Sequence, residues 1–186
     1  MSEMILKKGS SRKSAYDLRK DQSYKEATHT FSILVDNEAG VLARIVDLFA
    51  GRGFNIESLT VTEVDHTGHR SRITIVSTGG DDVIQQIRAQ VQNVIPVHEI
   101  FDLTTDGPSV ARELALHVLK VREANIEAAR AAAQAFQSKE LGVGAGCLVF
   151  EQSGTPHEID ELFDRLRPLG ELEVARTGVV GLKLPQ

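Results

Sequence analysis

Three residues, Asn37, Gly40 and Asn55, carry the clearest chemistry in the chain, and it is the chemistry of holding a small zwitterion. A free amino acid presents a carboxylate, an ammonium and a side chain. An asparagine carboxamide both donates and accepts, so it can meet either charged end. Gly40 has no Cβ to obstruct a ligand that approaches the backbone. The N–H groups around Gly40–Leu42 stand where a strand feeds into a helix. Such amides lack intrahelical partners and carry the positive end of the helix dipole, which makes a seat for a carboxylate. Each residue also has a plain local role. Asn37 can close an Asx-turn, Gly40 can relieve turn strain, and Asn55 can take a left-handed position after Gly53. On local chemistry the two readings stand level.

Groups that catalyse are scarce. A nucleophilic enzyme needs a Ser or Cys beside a base, yet G-x-S-x-G does not occur. Cys147 lies in the apolar run GCLVF and reads as a small buried hydrophobe. The phosphate-binding GxxxxGK[ST] and a strand-linked GxGxxG are also missing; GVGAG at 142–146 is too short and precedes a strand. Asp65, His66 and His69 gather in VDHTGHR, which reads as a hairpin turn with no further ligand at useful spacing. The other histidines (His29, His98, His117, His157) stand singly, and Glu57, Glu63 and Glu99 read as solvated carboxylates on strand faces. The sequence therefore predicts no catalytic residue, no metal site and no cofactor held by this chain.

The elements that must position Asn37, Gly40 and Asn55 follow from periodicity. Phe31, Ile33 and Val35 alternate with Thr30, Ser32 and Leu34, the period of a strand with one buried face. After Gly40 the pairs Val41/Leu42, Ile45/Val46 and Leu48/Phe49 recur at helical spacing, and Gly51 and Gly53 stop the helix. A strand follows, then VDHTGHR, then a second alternating run at His69–Thr78 with Ile73 and Ile75 together. Gly79-Gly80-Asp81 breaks it and caps a helix over 81–95, with Val83/Ile84, Ile87, Val91 and Val94/Ile95 on its apolar side. Pro96 ends that helix. Val97, Glu99, Phe101 and Leu103 then alternate against His98, Ile100 and Asp102. The order is βαββαβ, the split arrangement in which an antiparallel four-stranded sheet carries both helices on one face.

TTDGPS is a linker by composition, and the order then partly repeats. Arg112–Val121 alternates with Leu114, Leu116 and Val118 together; Asn125 can cap the Ala-rich helix NIEAARAAAQAF. After the glycine-broken LGVGAG comes the strand CLVFEQ. Thr155-Pro156-His157-Glu158 announces a helix with a Thr cap, Pro in the first turn and Glu at the reciprocal position. Its apolar face is Ile159, Leu162/Phe163 and Leu166, and Pro168 and Gly170 close it. Leu172–Leu184 reads as a last strand interrupted by Gly178 and Gly181. The fold class is α+β, two tandem ferredoxin-like βαββαβ units with the second less regular. The predicted division is an N-terminal extension at 1–28, a first unit at 29–104, a linker at 105–109 and a second unit at 110–186.

Charge narrows the partners. The chain of 186 residues carries a net −5, but seven bases against four acids leave residues 1–26 at +3 and the remainder at −8. Both tyrosines, Tyr16 and Tyr24, lie in that first segment, and there is no tryptophan. The segment shows no sustained period and no apolar run of a secretory signal, so a mobile, solvated extension is expected. An acidic body without Tyr or Trp argues against nucleic acid, which needs positive potential and rings to stack on. No run is apolar enough to span a bilayer, and none of the helices has the basic amphipathic character of a membrane-surface helix. A single cysteine fits a reducing, cytoplasmic setting.

The run DNEAGVLARIVDLFAGRGFNIESLTV followed by SRITIVST resembles an ACT domain, the amino-acid-sensing module of biosynthetic enzymes. RGFNIESLTV, together with RELALHVLKV and EVARTGVVGL further on, is similar to the small regulatory subunits of acetolactate synthase (acetohydroxyacid synthase) across most of 29–184. That resemblance implies a first unit that is an ACT domain for sensing and dimerisation. It implies a non-catalytic regulatory subunit of branched-chain amino-acid biosynthesis, partnered by a large catalytic subunit that carries thiamine diphosphate, Mg and FAD and condenses two pyruvates to 2-acetolactate. The small subunit would activate its partner and confer feedback inhibition by valine, with leucine and isoleucine as related effectors. The family arrangement pairs two ACT domains edge to edge, with Asn37, Ala39, Gly40, Val41 and Leu42 from one chain and Asn55 and Ile56 from the other around the effector. The sequence departs from the family at QSKELGVGAG, where relatives carry a basic-apolar strand, and this leaves the strand count of the second unit open. Two other classes remain: a stand-alone amino-acid-binding module acting on another enzyme or on transcription, and an enzyme built on the ferredoxin-like fold.

Overall fold

The structure is a computed structural model and describes residues 26–144 and 146–185. The basic segment and its tyrosines lie outside the described residues. Among the described residues nine strands and four α-helices follow in order: β1 Ala27–Asp36, α1 Val41–Gly51, β2 Ser58–Asp65, β3 Arg70–Gly79, α2 Asp81–Gln92, β4 Val97–Asp102, β5 Ser109–Val121, α3 Ile126–Ala135, β6 Lys139–Gly144, β7 Cys147–Gly154, α4 Pro156–Leu166, β8 Gly170–Arg176 and β9 Val180–Lys183. No helix among the described residues is long and apolar enough to cross a membrane.

Two antiparallel sheets form with one topology used twice. The first runs β2-β3-β1-β4 and the second β6-β7-β5-β8. In the first sheet Phe31, Ile33 and Val35 pair across to Asp102, Ile100 and Val97 on one side, and Phe31 and Ile33 to Ile75 and Ile73 on the other. Side chains on alternate residues share a face, so Phe31, Ile33, Val35, Ile73, Ile75 and Ile100 bury against Ile45 and Phe49 of α1 and Ile87 and Val91 of α2, with Val97 packed at the margin. Ile100, not Val97 or Phe101, is the β4 residue in that core.

Several expectations are corrected. α2 ends at Gln92, capped by Asn93, short of the predicted 95; Ile95 leaves the apolar stripe and is 81% exposed. Its N-cap is Gly80 in extended conformation, while Asp81 and Asp82 complement the dipole from inside the first turn. Asn125 occupies the N-cap of α3 but does not cap it; its carboxamide instead donates to the Leu169 carbonyl at 2.9 Å. On β5 the buried face is Glu113, Ala115, His117 and Leu119, and Leu114, Leu116 and Val118 lie half-buried on the opposite face. Both faces of β5 carry apolar residues, so alternation alone did not choose the core side. Cys147, at the start of β7, is half-buried and not part of the core.

The glycine-rich QSKELGVGAG does form the missing strand. β6 pairs with β7 through a register shift between Glu140 and Gly142, and Gly142 takes φ 159, so the glycines accommodate a bulge. The final predicted strand is two. β8 pairs the second half of β5 from Ala115 to Val121, and β9 pairs its first residues, Ser109–Arg112. Between them Thr177–Val179 turns, with Gly178 at φ 82. β9 then lies over the helix-free face of the first sheet. Ser32 and Thr74 on that face are buried, Lys183 sits 4.6 Å over the Phe101 ring, and a Cβ at Gly181 would fall 2.5 Å from Leu103.

Candidate effector-binding site

The turn from β1 into α1 is built by backbone geometry. Gly40 is the N-cap of α1 at φ 87, a conformation that costs any other L-residue about 1–2 kcal/mol. Nothing lies within 4 Å of where its Cβ would stand, so the position opens directly to solvent. The Asn37 N–H donates to the His69 carbonyl at 2.6 Å, which ties the turn to the β2–β3 hairpin. The first intrahelical bond is Arg44 N–H to Gly40 at 3.0 Å, no side chain among the described residues caps the helix, and the Val41 amide makes a long 3.3 Å bond to Glu38. The amides of Leu42 and Ala43 thus point outward from the first turn. Val41 is buried in the core, Leu42 is half-buried, and Asn37, Ala39 and Gly40 are exposed. Arg44 stands at the rim, donating to the Ile95 carbonyl at 2.6 Å and lying 3.7 Å from Glu38.

The far end of α1 places Asn55 and Ile56. The Gly53 N–H bonds the Ala50 carbonyl and the Phe54 N–H the Phe49 carbonyl. Gly53 is left-handed at φ 70, and Phe54 packs edge-on against Phe49 at 6.2 Å. This is a glycine-closed helix end with its hydrophobic contact in place. It delivers an exposed Asn55 and an Ile56 half-buried against the first core. The Asn55 carbonyl accepts from Ser77 Oγ at 2.7 Å and Glu57 N–H bonds Val76 at 2.9 Å, so the segment is held to β3 before β2 begins.

The local alternatives for the two asparagines do not hold. Among the described residues Asn55 is not left-handed, and neither carboxamide makes a hydrogen bond. Both project from well-fixed backbone. A single chain does not bring them together, because α1, with 11 residues, holds them apart by about 16 Å.

The titratable groups are used structurally. The Gly68 amide, with that of Thr67, holds the Asp65 carboxyl below its usual range and closes the hairpin turn. His66 meets Glu63 at 3.0 Å. Among the described residues no cluster of three or more His, Cys, Asp or Glu is placed to hold a metal. His29 pairs with Asp102 at 2.7 Å, and the fully buried His117 bonds Gln152 at 3.1 Å while burial lowers its pKa.

Two runs far apart in sequence, RGFNIESLTV and EVARTGVVGL, meet in space. Thr60 Oγ1 donates to the Val179 carbonyl at 2.5 Å, and the Val179 N–H donates to Ser58 Oγ at 3.0 Å. A cavity of about 470 Å³ beside this contact is lined by Thr62, Val64, Leu114, Val180 and Leu182 among others. Periodicity had no means of finding this junction, since it joins β2 to a turn some 120 residues later.

Comparison with known proteins agrees with both halves. Residues 31–99 match the ACT domain of the acetohydroxyacid synthase small-subunit type, and residues 112–184 match the small subunit of acetolactate synthase. The small subunit of Mycolicibacterium smegmatis acetolactate synthase is 38% identical over 83% of this chain and 90% of its own. This chain belongs to the acetolactate synthase small-subunit family. The Aquifex aeolicus member is 39% identical over 90% of this chain and 85% of its own. The crystal structure of the Thermotoga maritima small subunit superposes with a TM-score of 0.74 at 31% identity, covering 86% of this chain and 99% of that one.

Proposed function

We propose that this chain is the regulatory partner of an acetolactate synthase catalytic subunit and that it binds a branched-chain amino acid, valine foremost, between two copies of its first unit. The observation that carries the reading is the pair of carboxamides at opposite ends of α1 that make no hydrogen bond among the described residues. β2 is an edge strand of its sheet, with Val61 44% and Val64 49% exposed. Pairing β2 antiparallel with the β2 of a second copy sets the partner's Ser58 end beside this chain's Asp65 end. That is the end to which Asn37 is tied through His69. The second copy's Asn55–Ile56 segment is thereby delivered toward the Asn37–Leu42 mouth, and an exposed strand edge is removed at the same time.

In that arrangement the outward amides of α1 and the dipole behind them take the effector carboxylate. Asn37 and Asn55 take the remaining polar atoms, while Leu42 and Ile56 meet the branched side chain. The catalytic subunit supplies thiamine diphosphate, Mg and FAD and performs the condensation of pyruvate in the cytoplasm. This chain raises that activity, and valine lowers it by binding one arrangement of the assembly better than the other.

Calorimetric titration of valine into the full chain tests the site. Binding is expected, and Asn37→Ala and Asn55→Ala should each weaken it by about 10- to 100-fold, the loss of a hydrogen bond to a charged group. Unweakened binding in both variants would remove the site assignment. Assay of the catalytic subunit with and without this chain tests the partnership, and no stimulation there favours a module acting on another target.

A further inference from the structure

The Val179 peptide is held on both sides by one strand of the other unit. Ser58 and Thr60, two residues apart on β2, face the same way by strand period. Ser58 Oγ accepts the Val179 N–H and Thr60 Oγ1 donates to the Val179 carbonyl. The two hydroxyls thus do for Val179 what a neighbouring strand would do. Gly178 is required twice over: its φ is 82, and a Cβ there would stand 2.5 Å from Ser58 Oγ. On its other side the turn is fastened to the central strand of the second sheet. The Thr177 N–H donates to the Leu114 carbonyl at 3.0 Å, and the Leu114 N–H donates to Thr177 Oγ1 at 3.1 Å. Arg176, next in line, is ion-paired to the buried Glu113 and to Asp160 on α4.

The same β2 strand begins three residues after Asn55. The segment between is short and held at both ends, by Ser77 on the Asn55 carbonyl and by Val76 on the Glu57 amide. A displacement of Asn55–Ile56 is therefore carried into Ser58 and Thr60 without slack. We infer that Ser58 and Thr60 are positioning residues whose grip on Val179 passes effector occupancy from the first unit to the second; this rests on the effector reading above. The grip has two arrangements, closed as seen and released with both hydroxyls turned to water. A hydrogen bond shifts such an equilibrium by about 2- to 12-fold net. Two together give about 5- to 150-fold, the range typical of coupling between allosteric sites.

The test uses the full chain reconstituted with an acetolactate synthase catalytic subunit, valine as the probe, and the paired substitution Ser58→Ala with Thr60→Val, which keeps shape and removes both bonds. Calorimetry reads valine affinity, and turnover reads inhibition. The variant is expected to bind valine within about twofold of the unmodified chain, while inhibition at saturating valine is largely lost. Thr60→Ser, which keeps the hydroxyl, should inhibit as the unmodified chain does. Retained valine binding shows that the first unit is folded; if the pair does not fold, Thr60→Val alone takes its place. Wild-type inhibition in the variant overturns the inference. So does loss of binding together with inhibition, because the hydroxyls would then belong to the effector site. Absence of valine binding to the unmodified chain is seen before any variant is made, and it overturns the effector reading and this inference together.

Discussion

At the scale of single residues, the two special glycines are not equivalent. Gly40 faces open space, so Gly40→Ala should cost only the backbone term of about 1–2 kcal/mol in urea unfolding. Gly178→Ala adds a collision with Ser58 Oγ to a similar strain and should cost clearly more. A midpoint for Gly178→Ala equal to that of Gly40→Ala would contradict the close docking of the turn. His117 makes a second prediction. Burial lowers its pKa in the folded chain, so the unfolded chain binds the proton first as pH falls below about 6.5. Stability should fall from neutral pH downward through that range, with a slope of at most about 1.4 kcal/mol per pH unit for one proton. His117→Leu should flatten this part of the profile, measured as urea midpoint against pH. Residue type alone proposed Asn37, Gly40 and Asn55, and the change of period at Gly40 made the α1 that separates them legible. The bonds that fix the two segments, Asn37 N–H to the His69 carbonyl and the Ser77 hydroxyl to the Asn55 carbonyl, were not, because partners across the sheet leave no local signal.

At the scale of elements, the clearest sequence reading was α4. Thr155 Oγ1 accepts the Glu158 amide, and the Glu158 carboxylate accepts the Thr155 amide, so the reciprocal cap forms as its residues predict. Thr155→Ala should cost about 1 kcal/mol in unfolding free energy. The Glu158 carboxyl is held below its usual range by the Thr155 amide, so part of that stability is present above the ordinary carboxylate pKa and is lost as pH falls below it through the lowered folded value. Asn125 shows where such reading stops: the right residue stood at the right position, yet a tertiary partner, the Leu169 carbonyl, took its side chain. β5 shows the same limit for strands. A strand that carries apolar side chains on both faces has no single amphipathic solution, and only the helices docking on Leu119 choose the buried one. β6 was obscured because glycines that usually break a strand here form its bulge.

At the scale of the whole molecule, repetition of one topology was visible in the order of elements, whereas the way the halves join was not. If two copies pair through β2, then Val61→Arg, which sets a charge on the exposed edge, should halve the mass seen by sedimentation and abolish valine binding with it. A dimer that persists in this variant would place the pairing elsewhere. The late position of β9 has its own consequence for how the protein is made. β4 ends at Asp102, so the first unit can complete its core while β9 is still unsynthesised. The roughly 80 residues between them take about 4–16 s to translate. During that wait one face of the nascent sheet is bare, and around Leu34, Val76 and Phe101 it carries the hydroxyls of Thr28, Thr30, Ser32, Thr60 and Thr74. Hydroxyl side chains are well suited to meet water first and a strand afterwards. A message cut short before Gly178, which removes both β9 and the Val179 that Ser58 and Thr60 hold, should therefore yield a soluble but unlatched polypeptide rather than an aggregate.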